Sequence, residues 1–158
     1  METLELISDY ELERGKPKPS LNHSVTQSHL LVEMSLRYRK TYTILSELSL
    51  EMPEKPDTVP DIAIYAKLEI DFLHDRTTVA EMPLTIIEIV SPSQSNDDIL
   101  AKFERYFKAG VKSCWLVMPS FKAISVYSDI GVYTFFKHSD TLTDPAVSIE
   151  LPLAEIFG

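Results

Sequence analysis

One cysteine, one tryptophan and four glycines are all that the 158 residues hold of these types. A single cysteine, Cys114, excludes an internal disulfide and suits a reducing cytoplasm. It lies in the apolar run 113–118 with no cation pattern beside it to lower its pKa, and it reads as a small buried hydrophobe. So few glycines, and no GxxxxGK[ST] string, exclude a P-loop nucleotide site. No apolar run approaches the roughly 20 residues that cross a bilayer, and residues 1–15 lack the profile of a signal peptide. Positive charge is scarce too: 15 Lys and Arg stand against 24 Asp and Glu, a formal net charge of −9. That balance argues against a broad nonspecific grip on DNA or RNA, where phosphate contacts dominate. It leaves room for a local basic groove, or for a metal that offsets acidic side chains.

Apolar residues make up 44% of the chain, enough for a globular protein, and the length fits a single domain over residues 1–158. Residues 4–12 read as a short helix or the lead-in to a hairpin, broken by Gly15 and the Pro17 and Pro19 pair. Ser20 can cap a helix over residues 21–40, with Leu21, Val25, Leu31, Val32, Met34, Leu36 and Tyr38 as its apolar surface. His23 and His29 stand six apart, about 240° around a helix, so they share no face as a zinc pair would, and they read as ordinary helix polar residues. Alternation predicts a half-buried strand over 41–51, a second over 62–66 and a third over 84–90. A charged connection over 67–82 joins the second strand to the third. A helix follows, with its cap among Ser95, Asn96 and Asp97, and Gly110 is its natural C′ residue. Strands over 113–118, 123–127 and 132–137 and a last helical turn within 151–157 complete an α/β (α+β) fold: a mixed β-sheet flanked by helices.

Residues 83–110 organise the rest. They read as a buried strand, a polar turn and an amphipathic helix, with Glu88 near the end of the strand. An ionised carboxylate inside Ile86-Ile87-Glu88-Ile89-Val90 is costly unless a metal, a cation or a set of donors pairs with it. Asp61 opens the preceding strand directly after Pro60. If the two strands pair, both carboxylates converge at one end of the sheet, where a hard divalent cation resolves their repulsion. Lys102, at the border of the helix's apolar stripe, can add a positive charge at the same point. Carboxylates, metal and amine are the requirements of phosphodiester hydrolysis. Each residue also has a plainer role: Asp61 can start a strand by bonding local amides, Glu88 can pair with a buried cation or sit at a solvent-exposed strand end, and Lys102 can lie along the helix surface. Ser91 and Ser93 have no positioned histidine as base and read as turn residues. Glu51 is an outside candidate. Trp115, Phe135 and Phe136 read as core or interface.

Pro60-Asp61, then EIVSPS at 88–93, Lys102-Phe103, Tyr106, Gly110-Val111 and Trp115-Leu116-Val117 together resemble the Uma-two family of restriction-endonuclease-like proteins. That family is assigned to the PD-(D/E)xK nuclease superfamily. Residues 10–15 resemble its usual start and residues 151–157 its usual end, so the likeness covers nearly the whole chain. The resemblance implies a restriction-endonuclease-like core acting on DNA, with Asp61 and Glu88 as ligands of Mg²⁺ (or Mn²⁺) and the Ile89 carbonyl as an additional one. It implies a role for Lys102 in place of the motif lysine, because the usual position holds Val90. Glu11 is a weaker candidate for the same centre, and a homodimer suits an enzyme of this kind. A second function class stays open beside the nuclease: a catalytically inactive protein on the same fold that serves as an interaction or regulatory module. The net charge and Val90 favour it.

Overall fold

The computed structural model describes residues 18–158, and the element expected over 4–12 lies outside them. In chain order the elements are α1 (Leu21–Tyr38), β1 (Tyr42–Ser46), β2 (Ile62–Ala66), β3 (Thr85–Ile89), α2 (Asn96–Lys108) and β4 (Ser113–Met118). A 3₁₀ turn (Pro119–Phe121), β5 (Ala123–Asp129), β6 (Val132–Phe136), β7 (Thr141–Asp144), β8 (Ile149–Pro152) and α3 (Ala154–Phe157) follow. Strands β1 to β6 form one sheet in sequential order, and β7 pairs with β8 in a separate hairpin. All neighbours are antiparallel except β3 and β4. A parallel pair cannot be joined by a tight turn, and α2 supplies the crossover.

Both faces of the sheet are covered, which explains why the central strands read as apolar runs rather than as alternation. On one face Ile62, Ile64, Ile87, Ile89, Trp115 and Val117 meet Leu30 and Met34 of α1 and the apolar side of the β7–β8 hairpin and α3. On the other, Ala63, Tyr65, Ile86, Cys114 and Leu116 meet Ile99, Phe103 and Tyr106 of α2. Each such fully buried aliphatic side chain contributes about 1.5–3 kcal/mol relative to exposure. Glu88 belongs by strand parity to the α2 face, beside Ile86.

Helix α2 begins in a capping box: Ser95 Oγ accepts from the Asp98 N–H, and the Asp98 side chain accepts from the Ser95 N–H. It ends where Gly110 takes φ +104°, and the Val111 N–H returns to the Tyr106 carbonyl at 3.1 Å, as a left-handed C′ residue allows. Helix α1 has its expected start at Ser20. Its buried stripe differs from the one its apolar residues suggest. His23, Thr26, Leu30 and Met34 face the sheet, while Leu21, Val25, Val32 and Leu36 are exposed. Polar anchors set this rotation: His29 Nδ1 pairs with the Ile156 carbonyl at 2.7 Å, and Gln27 Nε2 donates to the Asp61 carbonyl at 3.0 Å.

Two further differences from the sequence reading bear on the site. The first strand stops at Ser46, because Glu47 adopts a left-handed φ of 51°. Beyond it, Leu50 makes only isolated bridges to Thr58 and Val79. The β7–β8 hairpin, unannounced in the sequence, packs against the α1 face and takes Leu151 into a strand.

Candidate active site at the β2 and β3 ends

Strand direction puts the start of β2 and the end of β3 at one end of the sheet. The pairing Ile62↔Ile87 and Ala63↔Ile86, continued by one residue, sets Asp61 across from Glu88. Both carboxylates are 2% exposed. Asp61 Oδ2 accepts the Ile89 N–H at 2.7 Å and lies 3.2 Å from His23 Nε2. Glu88 Oε1 accepts the Tyr106 hydroxyl at 3.1 Å. Charge-assisted bonds of this kind offset the cost of burying a carboxylate. The sheet therefore does bring together the two residues that the sequence set apart by 27 positions. Asp61 is held by a distant backbone amide and a histidine rather than by amides of its own turn.

Tyr106 is built to donate. Its burial, and next the Glu88 carboxylate beside it, push its phenol well above the usual tyrosine range, so it keeps its proton and its bond. Burial also raises the Cys114 thiol, helped by Glu88 and Asp144, in keeping with an inert core cysteine.

Lys102 stands one helical turn before Tyr106, on the same side of α2. It is half-buried. Helix α2 starts at the sheet end where β3 finishes, which puts Lys102, in its second turn, on the element nearest Glu88 in the chain. The other two cations of α2 are engaged elsewhere. Arg105 donates to the Glu54 carbonyl at 2.8 Å and to the Pro56 carbonyl, and Lys108 pairs with Glu54 at 3.2 Å. Lys102 has no such ion pair among the described residues.

Ile89 directly follows Glu88 in the chain, its N–H given to Asp61 and its carbonyl a third oxygen near the strand end. Two carboxylates and a carbonyl are hard donors of the kind Mg²⁺ takes, and that ion commonly completes its shell with water and phosphate oxygens. The donor chemistry fits. Among the described residues no group of three or more His, Cys, Asp or Glu side chains is arranged to hold a metal, and Glu11 lies outside those residues. Glu51 follows the left-handed turn and is exposed, bonded through its N–H to the Val79 carbonyl, so it does not join the pair. Trp115 is fully buried, whereas Phe135 is exposed on β6.

Two residues that sequence reasoning passed over stand at this end. His23 is 5% exposed and touches Asp61. The signal was its place in the stripe 23, 26, 30, 34, obscured by measuring it only against His29. Glu47 follows β1, and the pairing Ser46↔Ile62 continued by one residue sets it across from Asp61, to whose carbonyl its N–H donates at 3.1 Å. Beside these groups opens a cleft of about 490 Å³, between the start of α1, the turn after β3 and the turn after β4.

A six-stranded mixed sheet with helices on both faces, a single parallel pair and facing carboxylates at one end is a nuclease-like α+β architecture. The chain belongs to the Uma2 family, whose model, described as "Putative restriction endonuclease", matches residues 2–154. A crystal structure described as a putative nuclease belonging to DUF820, from Anabaena variabilis ATCC 29413, superposes with a TM-score of 0.77 at 22% identity. The match covers 90% of this chain and 83% of that one, which establishes the shared fold. No protein of curated function matches the sequence. Family and fold support a nuclease in general terms, and among the described residues no helix is long and apolar enough to cross a membrane.

Proposed function

We propose that the protein is a metal-dependent nuclease that hydrolyses DNA phosphodiester bonds at the β2 and β3 ends. The observation that carries this reading is the pair of buried carboxylates, Asp61 and Glu88, set across adjacent strands with Ile89 bonded to Asp61. These two side chains and the Ile89 carbonyl would hold Mg²⁺ or Mn²⁺. When bound, such an ion makes water a nucleophile near neutral pH and offsets charge on the phosphate.

The chain's own residues do the rest. His23 and the Ile89 amide fix the rotation of the Asp61 carboxylate, and the Tyr106 hydroxyl fixes Glu88, so neither has to reorganise when substrate arrives. Lys102 places a positive charge where negative charge grows on the phosphate, or orients the attacking water. A flexible four-carbon stem lets its amine serve from a helix rather than from the strand, where Val90 stands.

The test is cleavage of supercoiled plasmid, linear duplex, branched and single-stranded DNA with Mg²⁺ or Mn²⁺, comparing wild type with Asp61→Asn and Glu88→Gln. The reading expects metal-dependent cleavage by the wild type of at least one substrate, and loss in both variants with an unchanged far-UV spectrum. Equal cleavage by all three proteins would assign it to a contaminant.

A further inference from the structure

The cleft beside Asp61 has a character unlike the rest of the chain. Among the described residues, none of the twelve that line it is Asp, Glu, Lys or Arg, where the chain's 25% of charged residues would place about three. It offers amide groups from Asn22 and Asn96, hydroxyls that include Ser91, and an apolar wall of Met118 and Phe121. Phe121 is 71% exposed, at the end of the 3₁₀ turn where β4 delivers it to the carboxylate end of the sheet. His23 is common to both places: it is among the residues lining the cleft while its Nε2 meets Asp61 at 3.2 Å. The other ring nitrogen, Nδ1, is buried and has no hydrogen-bond partner among the described residues.

A neutral, partly apolar cleft with an aromatic at its rim is ill suited to the phosphate backbone of a duplex, which calls for cations. It suits a planar group with polar edges. Bases stack on aromatic side chains whatever their sequence, amides bond base edges, and the volume falls within the range of small-molecule pockets. From these features, and resting on the nuclease reading of Asp61 and Glu88, we infer that the cleft receives an unpaired nucleobase next to the bond that is cut. The preferred substrate is then single-stranded nucleic acid, or a duplex interrupted by an unpaired nucleotide. Phe121 stacks on the base, and Asn22 and Asn96 bond its edges.

The experiment is fluorescence anisotropy at low salt with a labelled ten-nucleotide single strand and its duplex, in EDTA, for wild type, Phe121→Ala, Asn96→Ala and Glu88→Gln. Cleavage of the same strands in Mn²⁺ is measured in parallel. Loss of one base stack predicts a roughly fivefold to 150-fold weaker single-strand affinity in Phe121→Ala. Its duplex affinity and melting temperature should not change, since the ring is exposed. Asn96→Ala weakens the single strand less, and Glu88→Gln serves as the control that loses cleavage. The inference is overturned if wild type binds no single strand, if it prefers the duplex, or if Phe121→Ala binds the single strand unchanged. Cleavage separates the two ideas. Wild-type cleavage with Phe121→Ala indistinguishable in binding removes the base pocket and keeps the nuclease. Phe121-dependent binding with no cleavage in any metal keeps the pocket and removes the nuclease.

Discussion

Asp61 and Asp144 are both 2% exposed, yet their surroundings differ in kind. Asp144 Oδ2 takes the indole N–H of Trp115 at 2.7 Å, and its Oδ1 takes the Ala146 N–H at 3.0 Å within its own turn. These partners tie the β7–β8 hairpin to the sheet, a structural task. Asp61 meets a histidine from α1 and an amide from β3, stands across from a second buried carboxylate, and shares His23 with a cleft. Burial of a carboxylate does not by itself mark a site. What distinguishes Asp61 is convergence: groups from separate elements meet where strands end and a substrate can approach.

Substitutions should split the two aspartates cleanly. Asp61→Asn and Glu88→Gln should each lower cleavage on the order of a thousandfold or more, since they remove metal-assisted catalysis, with thermal melting little changed. Lys102→Ala should cost about a hundredfold to a thousandfold in turnover and leave metal affinity intact in calorimetry. A loss of metal affinity instead would place Lys102 in a structural role. Asp144→Ala should do the reverse of Asp61→Asn, lowering unfolding free energy by about 2–3 kcal/mol in urea titrations while cleavage per folded molecule stays the same. His23→Ala should weaken metal binding about tenfold to a hundredfold, as loss of a group that orients a ligand does. His23→Gln, which keeps a donor, should recover part of it.

The smallest effect concerns Cys114. Its thiol is held above the usual cysteine range by burial first and by nearby carboxylates next. A raised pKa means that the folded state keeps the proton longer than the unfolded chain, whose cysteines ionise near pH 8.5. The thiol's contribution to stability is therefore complete below that pH and declines above it. Alkylation at pH 8.5 should be negligible in the native protein and rapid in guanidinium; rapid native labelling would show an accessible thiol.

Much of the site was legible because it lies on strands whose composition is unusual. A carboxylate inside Ile86-Ile87-Glu88-Ile89-Val90 has few structural uses, and the antiparallel pairing of β2 with β3 then brings Asp61 across from it. Helix α2 was legible through its cap candidates Ser95, Asn96 and Asp97 and through Gly110. What escaped depends on contacts that no local pattern encodes. His23 reaches Asp61 across 38 positions because Gln27 and His29 are anchored and fix the rotation of α1, against the pull of Leu21, Val25, Val32 and Leu36. Glu47 comes beside Asp61 through a left-handed turn at a non-glycine residue, a conformation that sequence seldom signals. The β7–β8 hairpin does alternate buried and exposed residues, but its four-residue strands are too short for that pattern to stand out in the sequence.

The most direct test of the carboxylate site is calorimetric titration of Mg²⁺ and Mn²⁺ into wild type, Asp61→Asn, Glu88→Gln and Asp144→Asn, alone and with non-cleaved phosphorothioate DNA. The account predicts one or two ions bound by wild type and by Asp144→Asn, and loss of binding in Asp61→Asn and Glu88→Gln while both remain folded. Wild type that binds no ion, even with DNA present, would contradict it and leave the inactive interaction module on a nuclease fold as the better description.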